Sequence, residues 1–459
     1  MIAPARRVSY QILLQVESSD AHSDELLRSP EVDALSAQDR HLTTTLVLGT
    51  LRWQLTLDAR FQELLMRPET KLSAEVATTL RMGAYQLLHL DRVPAHAVIN
   101  DSVELVKFGK DRGAAGMVNA VLRKVQRSEF SDQRSGTSHP GGRASRNTEP
   151  SMAAHPAWMV ERWVRRYGMA AAEAISRWDQ EPAGVALRVG NEVDCAGIET
   201  EPGAFLSAVR RVVRGDVGRS DAFREGQVRI QDEGSQLVGE LAAAASSGAE
   251  RVLDACAAPG GKTAILAERL PGAEITAVDV SRGRVLAARA LLAAGAGRCA
   301  ASPAARVEWK VADVTKMKLK PEWDLILCDV PCSGTGTMAR NPEIRLRVTE
   351  DDLARQHRRQ VAILRAGLRG LKEGGRLVYS SCSLEPEENE DVMAEALGAG
   401  SEFRVVPVEQ ILDGLAERGV VTPEGRDRLR TATEGNFLRT LPGVHPCDGF
   451  FAAVVERQG

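Results

Sequence analysis

Two thiols and a carboxylate stand out by the residues around them. Cys332 lies in Asp329-Val-Pro-Cys332-Ser-Gly-Thr-Gly336, and Cys382 in Tyr379-Ser-Ser-Cys382-Ser383. Free cysteine is usually a small buried hydrophobe. That reading suits Cys256 and Cys328, on or beside apolar runs, and also Cys195, Cys299 and Cys447. It suits Cys332 and Cys382 poorly, because Ser, Gly or Pro flank both at the ends of apolar runs, where loops carry function. Two thiols and an acid together match one kind of chemistry. The C5 carbon of a pyrimidine is a poor nucleophile until a thiolate adds to C6, which makes C5 enamine-like and able to attack an electrophilic methyl group. An acid at N3 stabilises the charge that develops on the ring. A second acid/base helps the C5 proton leave and the thiolate depart. The residues leave open which thiol attacks. Hydride transfer to a nicotinamide would have no use for the pair.

A cofactor turn precedes them. Asp254-Ala-Cys256-Ala257-Ala258-Pro259-Gly260-Gly261-Lys262 follows one apolar run and opens an amphipathic one. Its glycines permit a tight turn and close approach of a bound nucleoside. A phosphate-binding P-loop needs glycine where Cys256 stands, so an ATPase is disfavoured. Asp279, at the end of the next run, fits a clamp for ribose hydroxyls, or else a cap on the following helix. Asp313, at the end of the third, could accept an adenine amino hydrogen or be a solvated loop carboxylate.

These groups need elements to hold them. After residue 250, β-rich runs at 251–255, 274–280, 306–313, 323–329, 375–381 and 448–456 alternate with helical stretches near 261–270, 282–294 and 352–371. Ser281 and the pair Thr349 and Asp352 supply helix-start signals. Strand–helix alternation with nearly continuous apolar strands implies a mostly parallel α/β sheet covered on both faces. Residues 1–130 carry helical periodicity instead, as in Val8, Ile12, Val16 and in Leu42, Leu46, Gly49, Trp53, with Pro94 before one helix. They imply an all-α domain. Residues 131–151 hold one aliphatic side chain, Ala144, among Ser, Gly, Arg and Pro. A flexible linker over 131–154 is therefore expected, then a bridging α/β region over 155–245 and a catalytic domain over 246–459.

Taken in order, the motifs DACAAPGGKT, DVPCSGTG and YSSCS resemble the RNA cytosine-C5 methyltransferases that use S-adenosylmethionine. The resemblance implies that Cys382 is the nucleophile, that Cys332 assists product release, and that Asp329 contacts cofactor and cytosine. It places Cys256, Ala257, Ala258, Pro259, Gly260, Gly261, Lys262, Asp279, Asp313 and Asp329 at the cofactor, with no metal. DNA cytosine-C5 enzymes attack with the Pro-Cys thiol, which would reverse the roles, but they normally lack a Ser-Cys equivalent. Ser9-Tyr10-Gln-Ile-Leu-Leu and Gly116-Met-Val-Asn-Ala-Val-Leu-Arg123 look like a NusB-type RNA-binding domain. His155-Pro-Ala-Trp158, Gln231-Asp-Glu-Gly-Ser-Gln236, Arg340-Asn-Pro-Glu-Ile344 and Asp448-Gly-Phe-Phe451 are similar to segments of the RsmB (Sun, Fmu) family of bacterial 16S rRNA methyltransferases. The implied architecture is an all-α NusB-like N-terminal domain joined to a Rossmann-like methyltransferase domain with a mostly parallel seven-stranded sheet. Asn341, Gly334 and Ser381 replace the more usual His, Ala and Thr. Methylation of another RNA, tRNA or 23S rRNA, and a silent RNA-binding assembly factor are the alternatives.

The 459 residues are 43% apolar and 26% charged, with 40 Gly and 20 Pro, which excludes a collagen-like, mainly disordered or disulfide-stapled chain. Seven cysteines without paired spacing and no secretion signal point to a reducing cytoplasm. No apolar run is long enough to cross a membrane. The net charge of −3 conceals a local excess: residues 336–372 hold nine Lys or Arg against four Asp or Glu. Arg340, Arg345 and Arg347, just after the Cys332 loop, are expected to hold RNA phosphates. Arg358, Arg359 and Arg365 read as an ordinary solvated helix face. At 4% aromatic content no extended stacking platform is expected. The partner is expected to be a structured 16S rRNA hairpin with its target base flipped out, bound by a monomer.

Overall fold

The computed structural model describes residues 2–67, 69–134, 151–190, 197–295, 305–398, 400 and 402–459. They form two compact units, Met1–Pro182 with Met338–Arg347, and Ala183–Thr337 with Val348–Gly459.

The first unit is helical. Its longer helices are Pro4–Ser18, Ala37–Arg52, Ala74–His89, Ala95–Phe108 and Ala115–Arg134. Ser36 and Ser73 cap two of them by accepting the N–H groups of Asp39 and Val76, and Pro94 precedes a third. Their apolar stripes meet at Leu46, Leu80, Met82, Leu105 and Leu122, all buried. Each such side chain contributes about 1.5–3 kcal/mol when removed from water. Two further helices, Ala157–Tyr167 and Met169–Trp178, belong to this unit. The bridging region expected over 155–245 therefore divides: helices Ala157–Tyr167 and Met169–Trp178 go to the first unit, and its strands together with helix Glu233–Ala245 go to the second. The linker expected over 131–154 is described only at its two ends. Residues 131–134 continue a helix and Ser151–Ala154 form a 3-10 turn, whose end is anchored by His155, its Nδ1 donating to the Ser151 carbonyl at 3.0 Å and its Nε2 hydrogen-bonded to Asp179 at 3.2 Å. Residues 135–150 lie outside those described, as do Cys195 and Cys299.

The second unit contains two sheets. Strands β1 (Ala186–Val189), β2 (Glu199–Pro202), β3 (Val209–Arg214) and β4 (Val228–Ile230) form an antiparallel sheet in the order β2-β3-β1-β4. The larger sheet contains β5 (Arg251–Asp254), β6 (Glu274–Asp279), β7 (Arg306–Val311), β8 (Trp323–Asp329), β9 (Leu371–Ser381), β10 (Phe403–Val406), β11 (Thr433–Glu434), β12 (Phe437–Thr440) and β13 (Phe450–Arg457). Its order is β11-β12-β13-β9-β8-β5-β6-β7, with β10 also on β13. The five strands β7, β6, β5, β8 and β9 are parallel, and β10 to β13 add antiparallel. Nine strands are thus described where seven were expected, the short β10 and β11 carrying little sequence signal.

Alternation along β8 shows how the sheet is covered. Leu325 and Leu327 enter one apolar layer with Leu241, Leu266 and Val454, and Ile326 and Cys328 enter the other with Leu364, Leu377 and Phe451. Helix Glu350–Gly370 on the second face starts with a full capping box between Thr349 and Asp352. Arg188 of β1 bonds Glu240 and Glu268, which fastens the small sheet to the helices flanking β5. Among the described residues no helix is long and apolar enough to cross a membrane.

Candidate active site

Register brings the two thiol loops together. In the parallel pair β8–β9, Asp329 lies beside Ser380, so the segments carrying Cys332 and Cys382 leave the sheet side by side at its C-terminal edge. The β5 exit, on the other side of β8, carries the glycine turn. Strand order runs from β5 to β6 in one direction and from β5 to β8 in the other, and a crevice forms where such order reverses.

A cleft of about 400 Å³ occupies that place. Of the sequence-predicted residues, Cys256, Ala258, Pro259, Asp279, Asp313, Asp329, Cys332 and Cys382 line it. Ala257, Gly260, Gly261 and Lys262 do not, but they belong to the same turn and the start of the helix after it. The Ala255 and Ala257 N–H groups donate to Leu327 and Val278 carbonyls at 2.8 Å, which pins the turn between β8 and β6. Gly260 has φ of +101°, and a Cβ there would fall 3.0 Å from the Ala288 Cβ, so glycine is required. Helix Gly261–Arg269 begins immediately after.

Lys262 Nζ donates to Asp329 Oδ2 at 2.8 Å, and the Ser380 hydroxyl donates to Asp329 Oδ1 at 2.7 Å. One carboxylate thus joins the ends of three segments. Asp279 accepts the Ser281 N–H at 2.9 Å and the Ala258 N–H at 3.3 Å, while still facing the cleft. Asp313 accepts the Thr315 N–H and hydroxyl at 3.0 and 2.6 Å, and the Thr315 hydroxyl bond above all holds its carboxyl below the usual range. The acids at 279 and 313, set among Ala255, Ala258, Val280, Pro331 and Ile363, offer acceptors for sugar hydroxyls and an amino group beside apolar walls for a flat base. That donor set fits S-adenosylmethionine.

The Cys332 and Cys382 sulfurs are 2.8 Å apart, and the Cys382 N–H donates to Cys332 Sγ at 3.3 Å. The hydrogen bond with Cys382, together with burial, pushes the Cys332 thiol well up, which holds it protonated. Backbone contact closes the far side: the Gly336 N–H donates to the Cys382 carbonyl at 2.9 Å, and the Gly449 N–H to the Gly336 carbonyl at 2.8 Å. A Cβ on Gly336 would come within 2.4 Å of the Gly449 oxygen. The apolar reading holds for Cys328 and Cys447, which are buried, whereas Cys256 lies half-buried on the cleft wall.

The expected phosphate-holding arginines need correction. Arg345 is 1% exposed and donates to the carbonyls of Arg52, Ala154 and Asp179, all within the first unit. Burial pushes its guanidinium down to about 10. Arg347 donates to the carbonyls of Val16, Ser19, Asp20 and Ala21, so it closes the end of helix Pro4–Ser18. An unpaired guanidinium could not be buried there, and free carbonyls drew both side chains inward. Arg340 is half-buried.

Two groups escaped the sequence reading. Arg359, assigned to a plain solvated face, is exposed on the cleft wall with Ala362 and Ile363. Asp254 is fully buried beneath the turn, accepting from the Thr263 hydroxyl at 2.7 Å with its other oxygen unpartnered, and desolvation pushes it up to about 7. Its place as the last residue of an apolar strand before a glycine turn was the available signal.

Comparison with known proteins adds the lineage. Residues 242–456 match the model described as 16S rRNA methyltransferase RsmB/F, and residues 3–127 match the NusB family. The probable ribosomal RNA small subunit methyltransferase B of Bacillus subtilis (strain 168) is 32% identical over 466 residues, 99% of each chain. The crystal structure of PH0851 matches 100% of this chain and 99% of its own with a TM-score of 0.73 at 21% identity. That of NSun6 from Pyrococcus horikoshii with SFG matches 66% and 98% with a TM-score of 0.51 at 17% identity. The two structural likenesses show the fold alone.

Proposed function

The chain belongs to the RsmB/F family of S-adenosylmethionine-dependent 16S rRNA methyltransferases, and on that premise we propose that it methylates C5 of a cytosine in 16S rRNA through a transient bond between Cys382 and C6. The observation that carries this reading is the pair of sulfurs 2.8 Å apart, lining the same cleft as Cys256, Ala258 and Pro259 of the cofactor turn.

S-adenosylmethionine, when bound, supplies an electrophilic methyl group. Cys256 to Lys262 would cradle it, with Asp279 holding the ribose hydroxyls and Asp313 the adenine amino group. Cys382 adds to C6 of the cytosine and raises the electron density at C5. Asp329, held by Lys262 and Ser380, passes a proton to N3 as the electron pair from sulfur enters the ring and takes it back when the thiolate leaves. After transfer, C5 loses its proton to solvent and Cys382 departs as a thiolate. The Cys332 thiol donates a hydrogen bond to that sulfur as it leaves. Cys382 is assigned the attack because it stands in the Ser-Cys segment, which the family resemblance gives to the nucleophile, while Cys332 stands in the Pro-Cys segment. The target base is extruded from a structured RNA into the cleft, with Arg359 at the strand's phosphates, and the NusB-like unit supplies further RNA contact. The protein acts in the cytoplasm as a monomer.

Incubation with 16S rRNA and isotopically labelled S-adenosylmethionine, followed by nuclease digestion and mass spectrometry, tests this. Label in 5-methylcytidine is expected. Label in any other nucleoside, or none, contradicts it.

A further inference from the structure

Two adjacent side chains hold the two sulfur loops, and neither has a part in the chemistry above. Glu388 is 0% exposed, in the turn after the Cys382 loop. Its Oε1 accepts the Ser333 N–H at 2.8 Å and Gln360 Nε2 at 2.9 Å, and its Oε2 accepts the Ser333 hydroxyl. Gln360 also donates to the Pro331 carbonyl at 3.0 Å. The residues on both sides of Cys332 are thus tied to one buried carboxyl. Asn389 is equally buried. It accepts the Ser381 hydroxyl at 2.5 Å and donates to the Ser383 carbonyl at 2.9 Å, the residues on both sides of Cys382.

A buried carboxyl is costly unless donors surround it. Here three donors do, and two come from the residue after Cys332. Serine and amide groups could satisfy one another without any acid at that depth, so the acid itself calls for a purpose. Its charge also helps keep the proton on Cys332, behind the larger effects of the Cys382 bond and burial.

We propose that Glu388 is a positioning residue that fixes the Cys332 thiol against the Cys382 sulfur for the release half of the reaction, an inference that rests on the reading given above. In release, the bond between Cys382 sulfur and C6 breaks and its electron pair stays on sulfur. The C5–H pair becomes the C5–C6 double bond, and the proton goes to solvent. Cys332 keeps its own proton while hydrogen-bonding the returning thiolate. Glu388 matters only by holding Cys332 where that bond can form.

Full-length protein, S-adenosylmethionine and unmodified 16S rRNA provide the test, with covalent protein–RNA adduct read after denaturation alongside turnover. Glu388→Gln is expected to accumulate adduct on ordinary RNA and to lower kcat about tenfold with KM for RNA unchanged. Added to Cys332→Ala, it is expected to change neither further, since both act on one sulfur. Ser333→Ala removes the hydroxyl contacts with Glu388 and with the Ser383 hydroxyl but keeps the N–H contact with Glu388. It is expected to move both readouts the same way by less, which keeps the test sound if Glu388→Gln folds poorly. Wild-type adduct levels and turnover in Glu388→Gln and Ser333→Ala, or losses that add to those of Cys332→Ala, overturn the inference. A wild-type enzyme that forms no adduct with RNA containing 5-fluorocytidine overturns the parent reading and this one with it. Adduct in wild type with no effect at Glu388 overturns this one alone.

Discussion

The cleft at the strand exits and the segment Met338–Arg347 follow one another in the chain, yet they use charge in opposite ways. At the cleft, polar groups face open space: Asp279, Asp313 and Arg359 line it, and the sulfurs of Cys332 and Cys382 meet at its edge. In the segment, Arg345 and Arg347 spend their donors on seven carbonyls of the first unit. A run of arginines beside an active-site loop is therefore not in itself a phosphate clamp. What decides is whether nearby backbone carbonyls lack partners.

That contrast can be broken by substitution. The largest effect is expected at Cys382→Ala, which removes the attacking atom and should lower methylation by about 10⁴-fold or more while leaving the melting temperature nearly unchanged. Cys332→Ala should lower turnover less, by about 10²-fold, and trap denaturation-resistant adduct on ordinary RNA, visible as a shifted band on a denaturing gel. Arg345→Met should show the reverse pattern. Leaving three carbonyls unpaired costs about 3 kcal/mol in unfolding free energy, while the slope of RNA affinity against salt should stay as in wild type. A reduced slope would mean that Arg345 does touch phosphate. Arg359→Ala should leave the thermal transition in place and reduce that slope by about one phosphate contact.

The smallest effect concerns Asp254. Its folded-state value near 7 is raised above the ordinary 3.8, so protonation favours the fold. That contribution is fully present below about pH 4 and is lost as pH rises through about 7. Asp254→Asn should therefore gain stability relative to wild type between about pH 5 and pH 8 in urea titrations. An unchanged difference across that range would show that the carboxyl ionises freely in the fold.

Legibility followed the same divide. Strand exits were readable because a buried parallel strand must be an apolar run, and whatever follows it must turn at the sheet edge. Asp329, Cys332 and Cys382 lie at strand exits as that rule requires, and so does the glycine turn, while the Thr349 capping box was legible from its residue types and spacing. Arg359 was not readable, since periodicity separates the polar from the apolar face of helix Glu350–Gly370 without saying which exposed residue overhangs the cleft. Arg345 was not readable either, because its partners lie 166 to 293 positions away. Glu388 sits in Glu385-Pro-Glu-Glu388-Asn389, a run that composition alone assigns to solvent, whereas burial of both Glu385 and Glu388 appears only in three dimensions.

The central claim is the identity of the attacking sulfur. RNA carrying 5-fluorocytidine at the target blocks loss of the C5 substituent and should trap the enzyme, after which protease digestion and mass spectrometry locate the linked nucleotide. The account predicts attachment to the peptide bearing Cys382. Attachment to the peptide bearing Cys332, or no covalent product at all, would contradict it.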